Sequence, residues 1–176
     1  VMAQNAALAL CAALWLGVPR EAIQARLAAW SPAPLRGEWR RDAGRRLFLD
    51  CYNANPASMA DALATFLALA PAEEPRLFVL GGMEELGARA ADYHRALGRS
   101  LPLRPQDFAF VIGDEAPAVR AGALESGARA DQVAVVTALD PVAARLAEFR
   151  GAVFVKGSRR WQLERALDPA AAAAAH

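Results

Sequence analysis

Strand-length apolar runs recur along the chain after residue 38, and stretches with helical spacing lie between them. The predicted strands are Arg46–Leu49, Leu77–Leu80, Phe108–Ile112, Val133–Val136 and Ala152–Val155, with Trp39–Asp42 as a further hairpin strand. The predicted helices are Ser58–Leu69, Ala88–Ser100, Ala116–Ser126, Pro141–Phe149 and Arg160–Leu167. Because fully apolar strands alternate with helices, this pattern predicts an α/β fold in which helices cover both faces of a mostly parallel sheet.

The first thirty residues have a different pattern. Ala3–Leu16 has helical spacing and ends at Gly17, and Pro19 suits the first turn of a second helix that continues to Trp30. Two prolines follow within Ser31–Pro34, which favours an extended and stiff connector. We therefore predict four segments: a two-helix segment over residues 1–30, a linker over 31–38, the main domain over 39–168 and a tail over 169–176.

Composition places the chain among globular proteins. Of its 176 residues, 55% are hydrophobic and 22% are charged, and the formal net charge is only +1. This composition is that of a protein that forms a core. The near-neutral charge gives no electrostatic reason to expect a nucleic acid or an anionic membrane as a partner. The apolar run Ala6–Val18 is too short to span a bilayer.

The two cysteines, Cys11 and Cys51, follow no spacing pattern. They cannot form a thiolate metal site and give little reason to expect a disulfide. A reducing, cytoplasmic setting fits this cysteine usage best. Cys11 falls within an apolar helix that we expect to be buried.

The strand predicted at Arg46–Leu49 is followed by a run of polar residues. Asp50 comes directly after the strand, at the sheet edge where loops and helix amino-termini converge, and its carboxylate could bind a ribose or a neighbouring arginine. Asn53 and Asn55 supply donors and acceptors, and Asn-Pro favours a turn into a helix. A purely structural alternative is that Asn55 or Ser58 caps the helix while Asp50 orders the turn.

This run is one of several segments that resemble the Mur ligases, of the type that adds D-alanyl-D-alanine to UDP-N-acetylmuramoyl-tripeptide. Asp50–Met59 resembles the family signature Asp-x-Tyr-Asn-Ala-Asn-Pro-x-Ser-Met. Val79–Gly87, with His94 after it, resembles Leu-Gly-Asp-Met-x-Glu-Leu-Gly and a downstream His, although Gly82 stands where the family has Asp. Val155–Arg159 reads Val-Lys-Gly-Ser-Arg, as it does in the family.

Two shorter segments extend the resemblance over almost the whole chain. Asn5–Ala6 resembles the end of the family's ATPase domain, and Arg36–Glu38 resembles the entry to its last domain. The resemblance thus implies a Rossmann-like carboxy-terminal domain that follows a two-helix stub of the central ATP-binding domain. The family's phosphate loop, magnesium ligands, modified lysine and uridine-nucleotide domain would then lie upstream of Val1, and this chain alone would be inactive.

The resemblance implies an ATP-dependent ligase of peptidoglycan precursor synthesis. In such an enzyme ATP phosphorylates the terminal carboxylate of UDP-N-acetylmuramoyl-tripeptide, and the amine of D-alanyl-D-alanine attacks the acyl phosphate. ATP and Mg²⁺ would be bound mainly by the upstream domain. Two alternatives stay open: another ligase of the superfamily, of the folate polyglutamate or cyanophycin type, and a non-catalytic α/β module that binds a nucleotide or another anion.

The resemblance also assigns binding roles by position, but no catalytic residue and no metal ligand within this chain. The residues that would meet the nucleotide are Asn5, Arg36 and Asp50. Those that would face the acceptor dipeptide or the reacting phosphate are Tyr52, Asn53 and Asn55. The start of the last predicted helix would bind a carboxylate or phosphate through Lys156, Ser158 and Arg159. Simpler roles exist: Asn5 as a solvent-facing amide, Arg36 as a linker charge without a partner, and Ser158 as an N-cap.

Three further features fall at the same predicted edge of the sheet. Glu84 and Glu85 are paired acids, for which a solvated turn is favoured over acid–base catalysis. His94 is expected to pack or hydrogen-bond first and to contact substrate second. The turn Gly113–Glu115 could line the dipeptide pocket or serve only as a turn and cap.

Overall fold

The computed structural model describes residues 2–31 and 33–167. Contacts within the chain divide it into two units, Val1–Ala33 and Pro34–His176. The division falls inside the segment predicted as a linker. The tail predicted over residues 169–176 lies outside the described residues.

The first unit is a pair of helices, α1 (Met2–Trp15) and α2 (Arg20–Ala28). Gly17 lies between them with a φ of 75°, a left-handed conformation that suits glycine. The expectation that Cys11 is buried is wrong, because Cys11 is exposed. Two short helices bury little surface against each other, and the larger apolar side chains stay exposed: Leu8, Leu14, Trp15, Leu16, Leu27 and Trp30.

The second unit is built on one sheet. Its strands are β1 (Glu38–Asp42), β2 (Arg45–Asp50), β3 (Arg76–Gly81), β4 (Phe108–Ile112), β5 (Val133–Val136) and β6 (Gly151–Lys156). Its helices are α3 (Pro56–Leu69), α4 (Ala90–Ser100), α5 (Ala116–Glu125) and α6 (Asp140–Glu148). Within the described residues the strand order is β1-β2-β6-β3-β4-β5. Only the β1–β2 hairpin is antiparallel, which confirms the predicted mostly parallel sheet.

Helices cover both faces of this sheet, as the apolar strands predict. One face packs on α3, α4 and α5 through a core that includes the aromatic residues Phe48, Phe66, Phe78 and Phe154. The other face packs on α6 and on the turns after β6 through a core that includes Val142, Leu146, Leu163 and Ala166. Alternate residues of β2 serve the two cores, since Phe48 belongs to the first and Leu47 and Leu49 to the second.

The prediction of a helix over Arg160–Leu167 is wrong. Two short 3-10 turns, Arg159–Trp161 and Leu163–Ala166, take its place. Gln162 separates them in the left-handed region, with φ and ψ both 44°. Leu163 and Ala166 are buried in the second core, and Trp161, at the strand ends, packs partly against the same core.

Strand β6, the last in the sequence, lies near the middle of the sheet between β2 and β3. In the parallel register with β2, Asp50 lies beside Lys156, and in the register with β3, Leu80 lies beside Lys156. The carboxyl ends of three strands that are far apart in sequence therefore meet at one edge.

The opposite edge is held together by a buried carboxylate, Asp107, whose side chain is fully shielded from solvent. It accepts hydrogen bonds from the backbone N–H and the guanidinium of both Arg76 and Arg104. Burial alone would raise the pKa of Asp107, but the hydrogen bonds from Arg104 and Arg76 outweigh it and hold the pKa below its usual value. The hydrogen bonds of Asp107 thus link the start of β3 to the turn before β4.

We predict that Asp107→Asn lowers the free energy of unfolding by about 3 kcal/mol at pH 7, because it leaves two partly buried guanidinium groups without their anion. The folded-state pKa lies below the unfolded value of about 3.9, so the contribution of the carboxylate is complete above that value and is lost as the pH falls through the folded-state pKa. Urea denaturation at neutral and acidic pH measures both effects.

The control is Asp131→Asn, which removes an exposed partner of Arg129 and should leave stability nearly unchanged. Equal losses in the two variants would contradict the role of Asp107. A loss in Asp107→Asn that does not shrink in acid would contradict the pKa shift.

Candidate functional site

Lys156 ends β6 with its side chain 1% exposed, and it is the only lysine among the 20 lysine and arginine residues of the chain. Its ammonium donates to Asp50 Oδ2 at 2.5 Å, to the Asp50 carbonyl at 3.3 Å and to the Asn53 carbonyl at 3.1 Å. An ammonium has three donors, and all three are used here. Residues 50–56 are called the polar loop below. Lys156 holds this loop in place through its hydrogen bonds to Asp50 and Asn53.

The polar loop is further ordered by its own side chains. Asn53 Oδ1 accepts from the Ala54 N–H at 2.8 Å. Asn55 and Ser58 form a capping box at the start of α3, in which Asn55 Oδ1 accepts from the Ser58 N–H at 2.8 Å and Ser58 Oγ accepts from the Asn55 N–H at 3.1 Å. The structural role foreseen for Asn55 is thus confirmed, and its side-chain oxygen is already bonded.

Tyr52 is the exposed aromatic residue of the loop, with 48% of its surface accessible. The Arg36 guanidinium lies over the Tyr52 ring, 3.9 Å from the ring centroid. The Tyr52 N–H also donates to the Leu35 carbonyl at 3.3 Å. Arg36 is therefore more than a linker charge, since a cation–π contact and a neighbouring backbone bond hold it against the polar loop.

The residues after β6 connect to the loop from the other side. Arg159 forms an ion pair with Glu164, whose Oε2 lies 3.6 Å from the Cys51 Sγ. The hydrogen bond that Arg159 donates to Glu164 raises the pKa of Arg159, with smaller contributions from Cys51 and Tyr52. Burial, with help from the nearby Glu164 carboxylate, raises the pKa of the Cys51 thiol to about 12, so Cys51 is a structural thiol and not a nucleophile.

The start of the first turn after β6, to which the resemblance assigns a carboxylate or phosphate, is partly occupied by bonds within the chain. Ser158 is 9% exposed, its N–H donates to the Gly82 carbonyl at 3.1 Å, and its side chain makes no capping bond. The turn that follows is only three residues long. Anion binding by Lys156, Ser158 and Arg159 remains a prediction, in which the exposed Arg159 has the side chain best placed to reach a ligand.

The loops after β3 and β4 are held in place by His94 and Arg160. His94 is 1% exposed and bonds through both ring nitrogens, with Nε2 2.9 Å from the Met83 N–H and Nδ1 2.7 Å from the Ala90 carbonyl. It thus packs and hydrogen-bonds, as expected of it first. Arg160 bridges Glu84 at 3.2 Å and Asp114 at 3.3 Å. Glu84 is therefore an ion-pair partner, and exposed Glu85 occupies a left-handed turn with a φ of 61°.

The structure thus gathers most of the predicted residues at one edge of the sheet. Asp50, Asn53 and Lys156 are directly bonded, and Arg36 contacts Tyr52. Asn5 is exposed on α1 in the first unit and is described there alone.

Sequence reasoning missed two features of this edge. One is the pair Arg159–Glu164, whose partners are separated by a left-handed residue that no pattern announces. The other is Trp161, which lies directly behind a recognisable motif but follows no spacing rule of its own.

Comparison with known families identifies the chain. The family model described as "Mur ligase, glutamate ligase domain" matches residues 35–159, a range that includes Arg36, the polar loop and Lys156. The chain belongs to this family. The resemblance noted in the sequence motifs is therefore confirmed.

Individual Mur ligases agree with this membership. The chain is 31% identical over 163 residues to the UDP-N-acetylmuramoyl-tripeptide–D-alanyl-D-alanine ligase of Escherichia coli (strain K12), covering 91% of this chain and 34% of that protein. A crystal structure of MurF from Acinetobacter baumannii matches with a TM-score of 0.78 and 28% identity, covering 95% of this chain and 36% of that one.

A third relative was solved with a nucleotide. The MurF ligase of Thermotoga maritima in complex with ADP matches with a TM-score of 0.71 and 25% identity, covering 90% of this chain and 35% of that one. The chain spans about a third of the length of each of these Mur ligases.

Two further properties bound the chemistry of the described residues. Residues 2–31 and 33–167 contain no group of three or more His, Cys, Asp or Glu side chains placed to hold a metal ion. No helix in this part of the chain combines the length and the apolar character needed to cross a bilayer.

We predict that Lys156 resists acetylation in the folded chain, because its ammonium is buried and fully bonded. Because it is the only lysine, the extent of its modification is read directly by mass spectrometry of the peptide that contains it. Asp50→Ala should raise the acetylation rate, whereas Asp131→Ala, at an exposed site, should not. Acetylation of folded wild-type Lys156 at the rate seen in urea would contradict the burial of this side chain.

Proposed function

We propose that this chain is the carboxy-terminal part of an ATP-dependent ligase that adds D-alanyl-D-alanine to UDP-N-acetylmuramoyl-tripeptide in the cytoplasm, during peptidoglycan precursor synthesis. The observation that carries the proposal is the bonded junction between the polar loop and Lys156, which lies within the range matched by the Mur ligase domain. The name of the Escherichia coli relative supports the substrate pair. The ADP bound to the Thermotoga maritima relative supports ATP as the energy source.

The proposed nucleotide contacts of the main domain are Arg36 and Asp50, and the nucleotide role of Asn5, in the first unit, stays a prediction. The donors of Arg36 have no acceptor among the described residues, so the stacked guanidinium is free to pair with a phosphate or to lie against a base. Asp50 Oδ2 accepts a hydrogen bond from Lys156, while Oδ1 makes no hydrogen bond within the described part of the chain. That oxygen is suited to accept a ribose hydroxyl.

The proposed acceptor contacts are Tyr52 and Asn53 in the loop, with Asn55 behind them, and Arg159 after β6. Asn53 uses its side-chain oxygen internally, which leaves the amide N–H groups to donate to a peptide carbonyl or a phosphate. Arg159 offers a cation for the dipeptide carboxylate. Lys156 and Ser158 act from beneath by holding the loop and the turn in place.

In the proposed reaction the terminal carboxylate of the tripeptide accepts the γ-phosphoryl group of ATP, which converts a poor leaving group into a good one. The amine of D-alanyl-D-alanine then attacks the acyl carbon, and an amide forms as phosphate leaves. Mg²⁺, held together with the phosphates outside the described residues, would offset their negative charge. The residues of this chain bind and orient the nucleotide and the dipeptide, and no proton transfer is assigned to them.

The intact ligase that contains this chain tests the proposal through ADP release. With UDP-N-acetylmuramoyl-tripeptide present, D-alanyl-D-alanine should trigger release, and L-glutamate should not. Release with L-glutamate instead would place the protein with the folate polyglutamate type. Tight ATP binding without ADP release in the presence of any acceptor would support the non-catalytic module.

A variant tests the nucleotide role of Arg36. Arg36→Gln in the intact enzyme should raise the KM for ATP about tenfold, the effect of losing one hydrogen bond from a charged donor. The matched control is Arg41→Gln, an exposed arginine of β1 near the opposite edge of the sheet. An unchanged KM for ATP in Arg36→Gln would remove Arg36 from the proposed site.

A further inference from the structure

The indole of Trp161 lies on a floor of glycines at the carboxyl ends of the central strands. A methyl group built on Gly81 would lie 3.1 Å from Trp161 Cδ1, one on Gly82 would lie 3.1 Å from Nε1, and one on Gly113 would lie 3.1 Å from Cζ2. These contacts are closer than ordinary van der Waals packing. A methyl group at any of the three positions would therefore require the ring to shift by a few tenths of an ångström. Gly82 stands where the family motif has Asp, and its lack of a side chain leaves room for the indole.

Arg160 lies over the same ring, with its guanidinium 4.7 Å from the ring centroid. Arg160 in turn bridges Glu84, in the loop after β3, and Asp114, in the loop after β4. Trp161 thus contacts both the glycine backbone and a cation, and the loops after β3, β4 and β6 meet around it.

Trp161 packs against the second core, but its one polar atom is not satisfied there. Its Nε1 is buried and has no hydrogen-bond partner among the described residues, and a buried donor without a partner is unfavourable. The ring also adjoins the proposed acceptor segment, because a methyl group on Gly81 would meet the Gly157 Cα at 3.2 Å as well as the indole. The indole of Trp161 therefore occupies the space next to the segment Lys156–Arg159.

We propose that Trp161 determines which acceptors fit, by closing the side of the site over the ends of β3 and β4. The open part of the edge then lies over β2 and β6, where Tyr52, Asn53 and Arg159 are found. That space takes an acceptor dipeptide with small side chains and excludes one with a branched or aromatic side chain. This inference rests on the proposed ligase function and adds to it the residue that sets the size of the acceptor.

The test compares acceptors in the intact ligase that contains this chain. The ratio of kcat/KM for D-alanyl-D-leucine and for D-leucyl-D-alanine to that for D-alanyl-D-alanine is measured in wild type, Trp161→Ala and Trp161→Phe. Trp161→Ala should raise the ratio at least about tenfold for one of the two larger dipeptides, the scale on which a hydrophobic pocket discriminates by size. Trp161→Phe should give a smaller rise in the same direction.

The matched control is Trp39→Ala, which removes another half-buried tryptophan, one that packs against Phe48 and Phe66. Its ratios should equal those of wild type even if the variant is less stable. Ratios within threefold of wild type in a folded Trp161→Ala, or in Trp161→Phe if the alanine variant does not fold, would overturn the inference. Failure of the wild-type enzyme to use D-alanyl-D-alanine would instead overturn the proposed function.

Discussion

The ammonium of Lys156 is the contact on which the site depends. It is buried at the end of β6 and donates to Asp50 and to the Asn53 carbonyl, so that one side chain fixes both the start and the middle of the polar loop. A buried charge is stable only when it is paired and hydrogen-bonded. A guanidinium is larger and planar, with five donors in a fixed fork, and does not match this small, fully used cage. This difference explains why a chain with otherwise only arginines keeps a lysine here.

The position of β6 in the sheet makes this contact possible. Because the last strand inserts between β2 and β3, its end lies beside the polar loop on one side and the glycines after β3 on the other. Lys156 therefore holds the polar loop in place. Trp161, five residues later in the sequence, packs against the glycines at the ends of β3 and β4. The proposed nucleotide and acceptor contacts are thus supported by a single segment, and a disturbance at Lys156 would reach both.

Much of the fold could be predicted from the sequence, because fully apolar strands and helical spacing record the sheet and its cover directly. Phe108–Ile112 and Val133–Val136 have the predicted bounds, and the Asn55 cap follows from its position before Pro56. The break at Gln162 could not be predicted, since a left-handed glutamine leaves no signal in the hydrophobic pattern. The same holds for the bonding of Lys156, because strand order and register decide which residues meet across the sheet, and neither is written in the local sequence.

The central claim is that Asp50 and Lys156 act as one bonded unit. A double-mutant cycle with Asp50→Asn, Lys156→Met and the combined variant, followed by urea denaturation of the chain, measures their coupling free energy. We expect a coupling free energy of about 2 kcal/mol, in the range found for contacting charged residues. Additivity of the two substitutions to within about 0.5 kcal/mol would contradict it.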